Sequence, residues 1–257
     1  MNRTKIEWCD YTWSPVTGCK HGCEYCYAKR IDQRFNDGRF EPTFHPKRLE
    51  EPLKVKKPSR IFVGSMADLF GDWDWNNNGI ILSTINVMQK ILDIINQCPQ
   101  HTFIFLTKNP KGMQGFDFPS NCWCGTSVEN QEKADERIPE LLRVNCKTLF
   151  VSYEPALGPI DLTDITLPGE YQPRHIMLPS LSGYKINALI DDDDHLYQSN
   201  CHLSWLIIGA QTGSGAVKPD PAWIQQAIDQ ARTANVPVFV KDNVQWHEQI
   251  REFPREG

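Results

Sequence analysis

The chain has 257 residues, of which 40% are hydrophobic and 23% are charged, and its formal net charge at pH 7 is −5. This length allows one large domain or two small ones, and the acidic balance argues against a protein that wraps nucleic acid electrostatically. No run of about 18 apolar residues is present, which argues against a membrane span, and residues 1–7 lack the apolar core of a signal peptide. We therefore expect a cytoplasmic protein with no membrane partner.

The first predicted element is a strand over residues 6–13, in which aromatic and aliphatic side chains recur. It leads into a loop, residues 17–28, that contains three cysteines. Residues 27–35 then have the spacing of a helix, so the loop is predicted to close onto that helix. The side chains that carry this helical spacing are Tyr27, Ile31 and Phe35.

Three cysteines of the loop, Cys19, Cys23 and Cys26, lie within eight residues. Sulfur ligands suit zinc, copper(I) and iron–sulfur clusters. A structural zinc site normally closes with four protein ligands, and a 4Fe–4S cluster used only for electron transfer normally has four cysteines. A cluster held by three cysteines leaves one iron open to another ligand, which is an arrangement for chemistry. The odd total of nine cysteines also argues against a disulfide framework.

The spacing of these cysteines, with Tyr25 immediately before the last one, resembles the signature of the radical S-adenosylmethionine superfamily. The resemblance implies that Cys19, Cys23 and Cys26 bind a 4Fe–4S cluster, that S-adenosylmethionine chelates the open iron, and that Tyr25 contacts the adenine. Two alternatives stay open from the residues alone. The loop could be a zinc knuckle that His21 or a distant residue completes, or a turn without a metal.

Strand-like and helix-like segments alternate over the rest of the chain, which is typical of a parallel α/β architecture. Residues 163–202 break the alternation, because they contain several prolines, no sustained periodicity and the acidic run 191–194. We interpret them as an insertion within a single domain of residues 1–257. The remaining predicted strands are residues 60–64, 102–107, 122–127, 147–153, 203–209 and 236–240, and the predicted helices are residues 80–96, 131–143 and 221–234.

These segments amount to six or seven parallel strands with helical crossovers, which is fewer than a full eight-fold barrel has. The resemblance implies the partial (β/α) barrel of radical S-adenosylmethionine proteins, although a doubly wound open sheet would give a similar sequence pattern. In either fold, polar residues that follow the strands meet at one edge of the sheet, where α/β proteins bind ligands.

Two polar residues, Ser65 and Asp68, follow the strand at residues 60–64. The resemblance implies that this segment holds the amino group of S-adenosylmethionine, and the Asp68 carboxylate suits that ammonium. The alternative for Asp68 is the N-cap of a helix.

Ser127, Glu129 and Asn130 occupy the equivalent place after the strand at residues 122–127. The resemblance implies contacts with the ribose and the methionine moiety there, for which carboxylate and amide groups are suitable partners. Asn130 could equally be the N-cap of the helix at residues 131–143.

Glu154 follows the strand at residues 147–153 and is a further predicted cofactor contact, with a surface ion pair as the alternative. Lys108, Gln211 and Lys241 lie just beyond three other strands and are the candidate catalytic residues, because they would face a substrate at the same edge. A lysine in such a position is more often simply solvated.

Cys122 and Cys124 alternate along a predicted strand and would share one of its faces. Together with Cys98, Cys146 or Cys201 they could hold an auxiliary cluster, although buried cysteines without a metal are common.

Longer segments resemble a phage-associated family of three-cysteine proteins that is related to the radical S-adenosylmethionine superfamily and has no assigned reaction. Two departures stand out: many members have a longer gap between the first two cysteines, and many have Gly-Gly-Glu-Ser-Gly where residues 209–213 read Gly-Ala-Gln-Thr-Gly. The second departure removes the carboxylate that an acid–base role for Gln211 would need. The matching segments are residues 5–8, 11–13, 26–28, 62–70, 106–108, 127–131, 154–155, 157–160 and 209–215.

The resemblance implies an enzyme. Reduced by an external electron donor such as flavodoxin or ferredoxin, the cluster would cleave S-adenosylmethionine to methionine and a 5′-deoxyadenosyl radical, which abstracts hydrogen from an unknown substrate. The phage association makes a nucleic acid or a nucleotide a candidate substrate by analogy. The alternatives are a non-catalytic iron–sulfur or zinc-binding sensor or adaptor, and S-adenosylmethionine-dependent group transfer.

Overall fold

The computed structural model describes residues 1–35, 38–165, 202–213 and 215–255. It is a mixed α/β structure with one large and one small sheet. In chain order the elements are β1 (Asn2–Arg3), β2 (Tyr11–Trp13), β3 (Val16–Thr17), α1 (Tyr27–Phe35), β4 (Thr43–Phe44), β5 (Arg60–Val63), β6 (Trp75–Asn77), β7 (Ile80–Leu82), α2 (Thr84–Asn96), β8 (Thr102–Thr107), β9 (Cys122–Val128), α3 (Gln131–Leu142), β10 (Thr148–Tyr153), β11 (Leu203–Ile208), α4 (Pro221–Thr233) and β12 (Val238–Val240).

The large sheet has eight strands in the order β1-β2-β5-β8-β9-β10-β11-β12. Every neighbouring pair from β2 to β12 is parallel, and only the short edge strand β1 is antiparallel to its neighbour. The parallel strands therefore lie side by side in the same order as they occur in the chain. The prediction of a parallel α/β architecture is confirmed.

Alternate side chains of each strand pack on opposite faces of the large sheet, as the period of two requires. On one face a large apolar core packs against the helices, and it includes Ile61 of β5, Phe105 of β8 and Ile91 of α2. On the other face a smaller, mostly aromatic core lies between strands, and its members are Trp8, Cys9, Phe62, Ile104, Trp123, Phe150, Trp205, Ile207 and Phe239. The sheet is therefore buried on both faces.

Gly125 has a packing role in the smaller core. It lies opposite Phe150 in the register of β9 and β10, and a Cβ added to Gly125 would lie 2.4 Å from the Phe150 ring. Only a glycine leaves room for this ring without moving a strand.

The predicted helix at residues 80–96 is wrong in its first turn. Ile80–Leu82 is the strand β7, which pairs antiparallel with β6 in the small sheet, order β3-β4-β6-β7. The helix α2 begins only after Ser83, whose hydroxyl accepts the N–H of Asn86 at 3.3 Å. The isoleucines at the start of this segment satisfy the helical period by coincidence. A tight turn at Asn78 and Gly79, both with positive φ, joins the two strands instead.

The predicted first strand is also shorter than expected, since within residues 6–13 only Tyr11–Trp13 forms strand pairs. Trp8 instead packs on Phe62 with ring centroids 4.8 Å apart. Most of the predicted insertion at residues 163–202, including the acidic run 191–194 and Cys201, lies outside the described residues. None of the described helices is long and apolar enough to cross a membrane.

Candidate active site

A cavity of about 510 Å³ opens at the carboxyl ends of the parallel strands, beside the cysteine loop. Its volume lies in the range of small-molecule binding sites. Of the predicted site residues, all line this cavity except Glu129 and Asn130; the lining set includes Cys19, Cys23, Tyr25, Cys26, Ser65, Asp68, Lys108, Ser127, Glu154, Gln211 and Lys241. The structure thus brings together side chains that lie far apart in the sequence.

The cysteine loop is attached to the sheet edge through its backbone. The N–H of Gly18 donates to the carbonyl oxygen of Met66 at 2.9 Å, and the N–H of Cys19 donates to that of Phe40 at 3.0 Å. Gly18 has φ +91°, and a Cβ there would lie 2.1 Å from the Glu41 carbonyl oxygen. A glycine is therefore required at position 18 by both conformation and space.

Ser65 supports the far end of the loop. Its carbonyl oxygen accepts the hydroxyl hydrogen of Tyr27, and its own hydroxyl lies 3.4 Å from that of Ser14. The segment after β5 thus holds the first turn of α1 against the cavity, and the predicted contact of Ser65 with a bound amino group stays a prediction.

The three loop thiols are free and half-buried. Burial raises the pKa of Cys19 to about 12, with further increases from the charges of Asp68, Cys23 and Cys26, and burial also raises the pKa of Cys23. Burial therefore disfavours the thiolate forms of Cys19 and Cys23. The backbone N–H of Lys29 points at the sulfur of Cys26 at 3.4 Å, a contact of the kind that tunes iron–sulfur clusters.

Within the described residues, no group of three or more His, Cys, Asp or Glu side chains converges as a single metal ion requires. His21, the proposed completing ligand of a zinc knuckle, instead bonds Asp68 through Nε2 at 2.8 Å and meets the Trp73 ring edge-on. In a 4Fe–4S cluster each cysteine binds a different iron, so the sulfurs need not converge on one point. The thiols of Cys19, Cys23 and Cys26 face one cavity, and their binding of a cluster stays a prediction.

Asp68 is buried and accepts four hydrogen bonds. One oxygen accepts the Thr107 hydroxyl at 2.6 Å and the Phe70 N–H at 3.1 Å, and the other accepts His21 at 2.8 Å and the Lys108 N–H at 2.8 Å. Burial alone would raise the pKa of Asp68, but the hydrogen bond and charge of His21, helped by these donors, hold it below its ordinary range. No helix begins here, so the N-cap alternative is wrong. An ammonium at Asp68 would have to replace one of these bonds, and that contact stays a prediction.

Glu129 lies behind the cavity wall and joins three other side chains. It accepts the Tyr25 hydroxyl at 2.5 Å, forms an ion pair with Lys108 and accepts Arg137 at 3.1 Å, while the Lys108 ammonium also donates to the Tyr25 oxygen at 2.8 Å. Burial would raise the pKa of Glu129, but Lys108 and these hydrogen bonds hold it below its ordinary value. The ring of Tyr25 is thus fixed on the cavity wall, and Lys108 is a paired cation.

Arg137 was not predicted as a site residue. It is buried on α3 among Ala134, Ile138 and Leu141, and it also donates to the carbonyl oxygen of Ser127 at 2.8 Å. The sequence does contain a sign of this role, because Arg137 falls in the apolar stripe of a predicted helix. A buried arginine requires a charged or carbonyl partner.

Asn130 is the N-cap of α3, with its side-chain oxygen accepting the N–H of Lys133 at 3.0 Å. It does not line the cavity. Of its two interpretations, the structure supports the helix cap.

A second ion pair, between Glu154 and Lys241, lies on the cavity wall. Gly209 makes room for it, because a Cβ there would lie 2.6 Å from the Glu154 carboxyl carbon. Gln211 lines the same region and accepts the N–H of Val217 at 3.0 Å. The two candidate catalytic lysines, Lys108 and Lys241, are therefore both neutralised by carboxylates.

Two further lining residues, Trp8 and Ser152, were not singled out from the sequence. The indole nitrogen of Trp8 and the hydroxyl oxygen of Ser152 are buried and have no hydrogen-bond partner among the described residues. Buried polar atoms are normally paired. Both residues lie on the face of the large sheet that carries the smaller, mostly aromatic core, and no sequence motif marked their polar atoms.

Four cysteines outside the loop, Cys98, Cys122, Cys124 and Cys146, lie on the helix-facing side of the sheet, whereas Cys9 belongs to the smaller core on the other face. Cys122 and Cys124 share one face of β9, as predicted, and are buried in the large core with Cys98. The thiol of Cys146 donates to the carbonyl oxygen of Cys122 at 3.3 Å. Cys201, the remaining candidate ligand, lies outside the described residues, and the auxiliary cluster stays a prediction.

A family model described as "Protein of unknown function (DUF5131)" matches residues 3–255. No curated protein and no solved structure matches the chain.

Proposed function

We propose that this chain, which belongs to the DUF5131 family of proteins of unknown function, is a radical S-adenosylmethionine enzyme. In this proposal Cys19, Cys23 and Cys26 bind a 4Fe–4S cluster, and S-adenosylmethionine occupies the adjoining cavity. The observation that carries the proposal is that three free thiols of one loop line a cavity of about 510 Å³ together with polar residues from the carboxyl ends of several parallel strands.

The fold that we infer is a partial (β/α) barrel. A doubly wound sheet reverses its strand order at a switch point, whereas here the parallel strands follow chain order across the sheet. Right-handed crossovers then place the connecting helices on one face. The mostly aromatic core on the other face fits the interior of a curved sheet. There the Trp205 ring packs against the rings of Trp8 and Phe239, which come from opposite ends of the chain.

Cys19, Cys23 and Cys26 would hold the cluster, which, when reduced by one electron, would supply the electron that splits S-adenosylmethionine into methionine and a 5′-deoxyadenosyl radical able to abstract hydrogen from a substrate. The chain itself binds, orients and excludes water. Tyr25, fixed by Glu129 and Lys108, presents its ring to the cavity and suits the adenine. Asp68 holds His21 and the edge after β8 in place.

The substrate region that we propose lies around Lys241, Gln211, Trp8 and Ser152, next to Glu154, the predicted cofactor contact that pairs with Lys241. The two unpartnered polar atoms there offer hydrogen bonds to a ligand. A nucleic acid or nucleotide remains our candidate substrate by analogy alone, and the electron donor is proposed to be a flavodoxin or a ferredoxin.

The test is anaerobic reconstitution with iron and sulfide, followed by determination of both elements per chain. We expect about four irons and four sulfides per chain, with loss of both in Cys19→Ala. Cys98→Ala is the matched control, because Cys98 is buried in the core away from the loop, and it should retain both. If the protein instead binds zinc tightly and the Cys19→Ala variant retains that zinc, the proposal is contradicted and a metal-stabilised adaptor is favoured. If the cluster forms, the products of cofactor breakdown separate hydrogen abstraction from group transfer.

A further inference from the structure

Helix α1 follows directly on the last cluster cysteine and exposes its apolar side. Tyr27, Ile31 and Phe35 recur every four residues and therefore lie on one face. They are 46%, 42% and 72% exposed, and Ala28 is the only buried residue of the helix. The helical spacing predicted from the sequence is confirmed, but within the described part of the chain its apolar side is not covered.

Two arginines border this stripe. Arg30 and Arg34 lie three and seven residues after Tyr27, next to the apolar side chains on the helix surface. Arg30 donates to the Thr212 carbonyl oxygen at 3.3 Å, at the cavity rim, and the guanidinium of Arg34 lies 5.3 Å from the Phe35 ring centre. The helix's one acidic residue, Asp32, accepts the N–H of Phe40 and so faces the body of the protein. We call Tyr27, Arg30, Ile31, Arg34 and Phe35 the α1 face.

The α1 face has the composition of a protein interface, where aromatic residues and arginine are enriched. It carries two positive charges on a chain whose net charge is −5, so its local sign opposes that of the molecule. Complementary charge favours an acidic partner and speeds its association.

We propose that the α1 face is the docking site of an acidic one-electron carrier protein of the flavodoxin type. This inference rests on the proposed function, which requires an electron at the cluster. A carrier seated on α1 would lie against the helix that begins one residue after Cys26, which gives a short path to the cluster ligands. A polyanion such as nucleic acid fits less well, because the centre of the face is aliphatic and aromatic and only two guanidinium groups flank it.

The experiment measures binding and electron transfer separately. Flavodoxin is titrated into the 257-residue chain by calorimetry. Cluster reduction by flavodoxin hydroquinone is followed by stopped flow beside reduction by dithionite. The variants are Phe35→Ser and Arg34→Glu. The controls are Ile85→Ser and Lys90→Glu, which make the same kinds of change on the exposed side of α2.

We expect each α1 variant to weaken flavodoxin affinity and slow reduction by flavodoxin about tenfold or more, with Arg34→Glu also flattening the salt dependence. Both controls, and all reduction by dithionite, should match the unmodified chain. Equal affinity in all variants, or no flavodoxin binding, would overturn the proposal. Three other results would also overturn it. Self-association that is lost in Phe35→Ser would assign the face to a second copy, and a large loss of thermal stability in that variant would assign it to another segment of the chain itself. Oligonucleotide binding that is lost in Arg34→Glu would assign it to nucleic acid. Because calorimetry needs no cluster, absence of S-adenosylmethionine cleavage with dithionite would count against the proposed function alone.

Discussion

Glu129 connects a buried helix to the cavity wall. Its carboxylate neutralises Lys108 and Arg137 and accepts the Tyr25 hydroxyl, so one buried acid compensates two cations from different elements. The sequence predicted Glu129 and Lys108 as site residues because they follow strands. It did not predict that they pair, since the pairing depends on the register of β8 and β9 and on Arg137 from α3.

Replacing Glu129 by glutamine tests this network. At pH 7 we expect Glu129→Gln to lower the free energy of unfolding by about 3 kcal/mol, because it leaves buried cations without their partner. The depressed pKa of Glu129 contributes stability above its ordinary value of 4.5 and loses that contribution as the pH falls through the lower folded-state value. The difference from the unmodified chain, measured by urea denaturation, should therefore shrink below about pH 4. Glu132→Gln, on the exposed side of α3, is the control, and a similar loss there would contradict the account.

The two glycines of the cysteine loop differ in a testable way. Gly18 and Gly22 both have positive φ, but a Cβ at Gly18 would collide with the Glu41 backbone, whereas one at Gly22 meets no atom within 4 Å. Gly22→Ala should cost about 1 kcal/mol for its backbone conformation alone, while Gly18→Ala should also displace the loop and reduce iron incorporation. Equal iron incorporation in the two variants would show that the attachment of Gly18 does not position the thiols.

At the scale of elements, helix caps explain why the start of α2 was predicted wrongly and why Asn130 had two interpretations. Ser83 follows β7 and caps α2, and because apolar residues with helical spacing lie on both sides of it, periodicity alone merges the strand with the helix. Asn130 had two interpretations from the sequence, and the observed hydrogen bond to Lys133 supports the cap. A cap depends on the non-helical φ and ψ angles of the capping residue, and composition and spacing do not reveal these angles.

The capping role of Asn130 makes a specific prediction. Asn130→Ala should lower the free energy of unfolding by about 1 kcal/mol, whereas Asn130→Ser should retain most of the stability because serine also caps helices. Binding of S-adenosylmethionine to the reconstituted protein should be unchanged in both, as followed by equilibrium dialysis. A clear loss of affinity in Asn130→Ser with stability preserved would restore the predicted cofactor contact.

For the whole molecule, the order and type of most elements could be predicted because each buried parallel strand is a short apolar run followed by a polar turn. The same rule placed most candidate residues at one edge of the sheet, where they line the cavity. What could not be predicted is which of these side chains form ion pairs or hydrogen bonds with one another. Lys108 and Lys241 are paired with acids. The unpartnered polar atoms among the described cavity-lining residues belong to Trp8 and Ser152, whose neighbours in space are distant in the sequence.

The central claim is that the loop thiols and the cavity act together on S-adenosylmethionine. The most direct test is chromatography of the products after anaerobic reconstitution, reduction with dithionite and addition of S-adenosylmethionine. We predict formation of 5′-deoxyadenosine and methionine, abolished in Cys23→Ala and retained in Cys98→Ala. A protein that carries an intact, reducible cluster and binds S-adenosylmethionine but releases no 5′-deoxyadenosine, with or without candidate substrates, would contradict the claim.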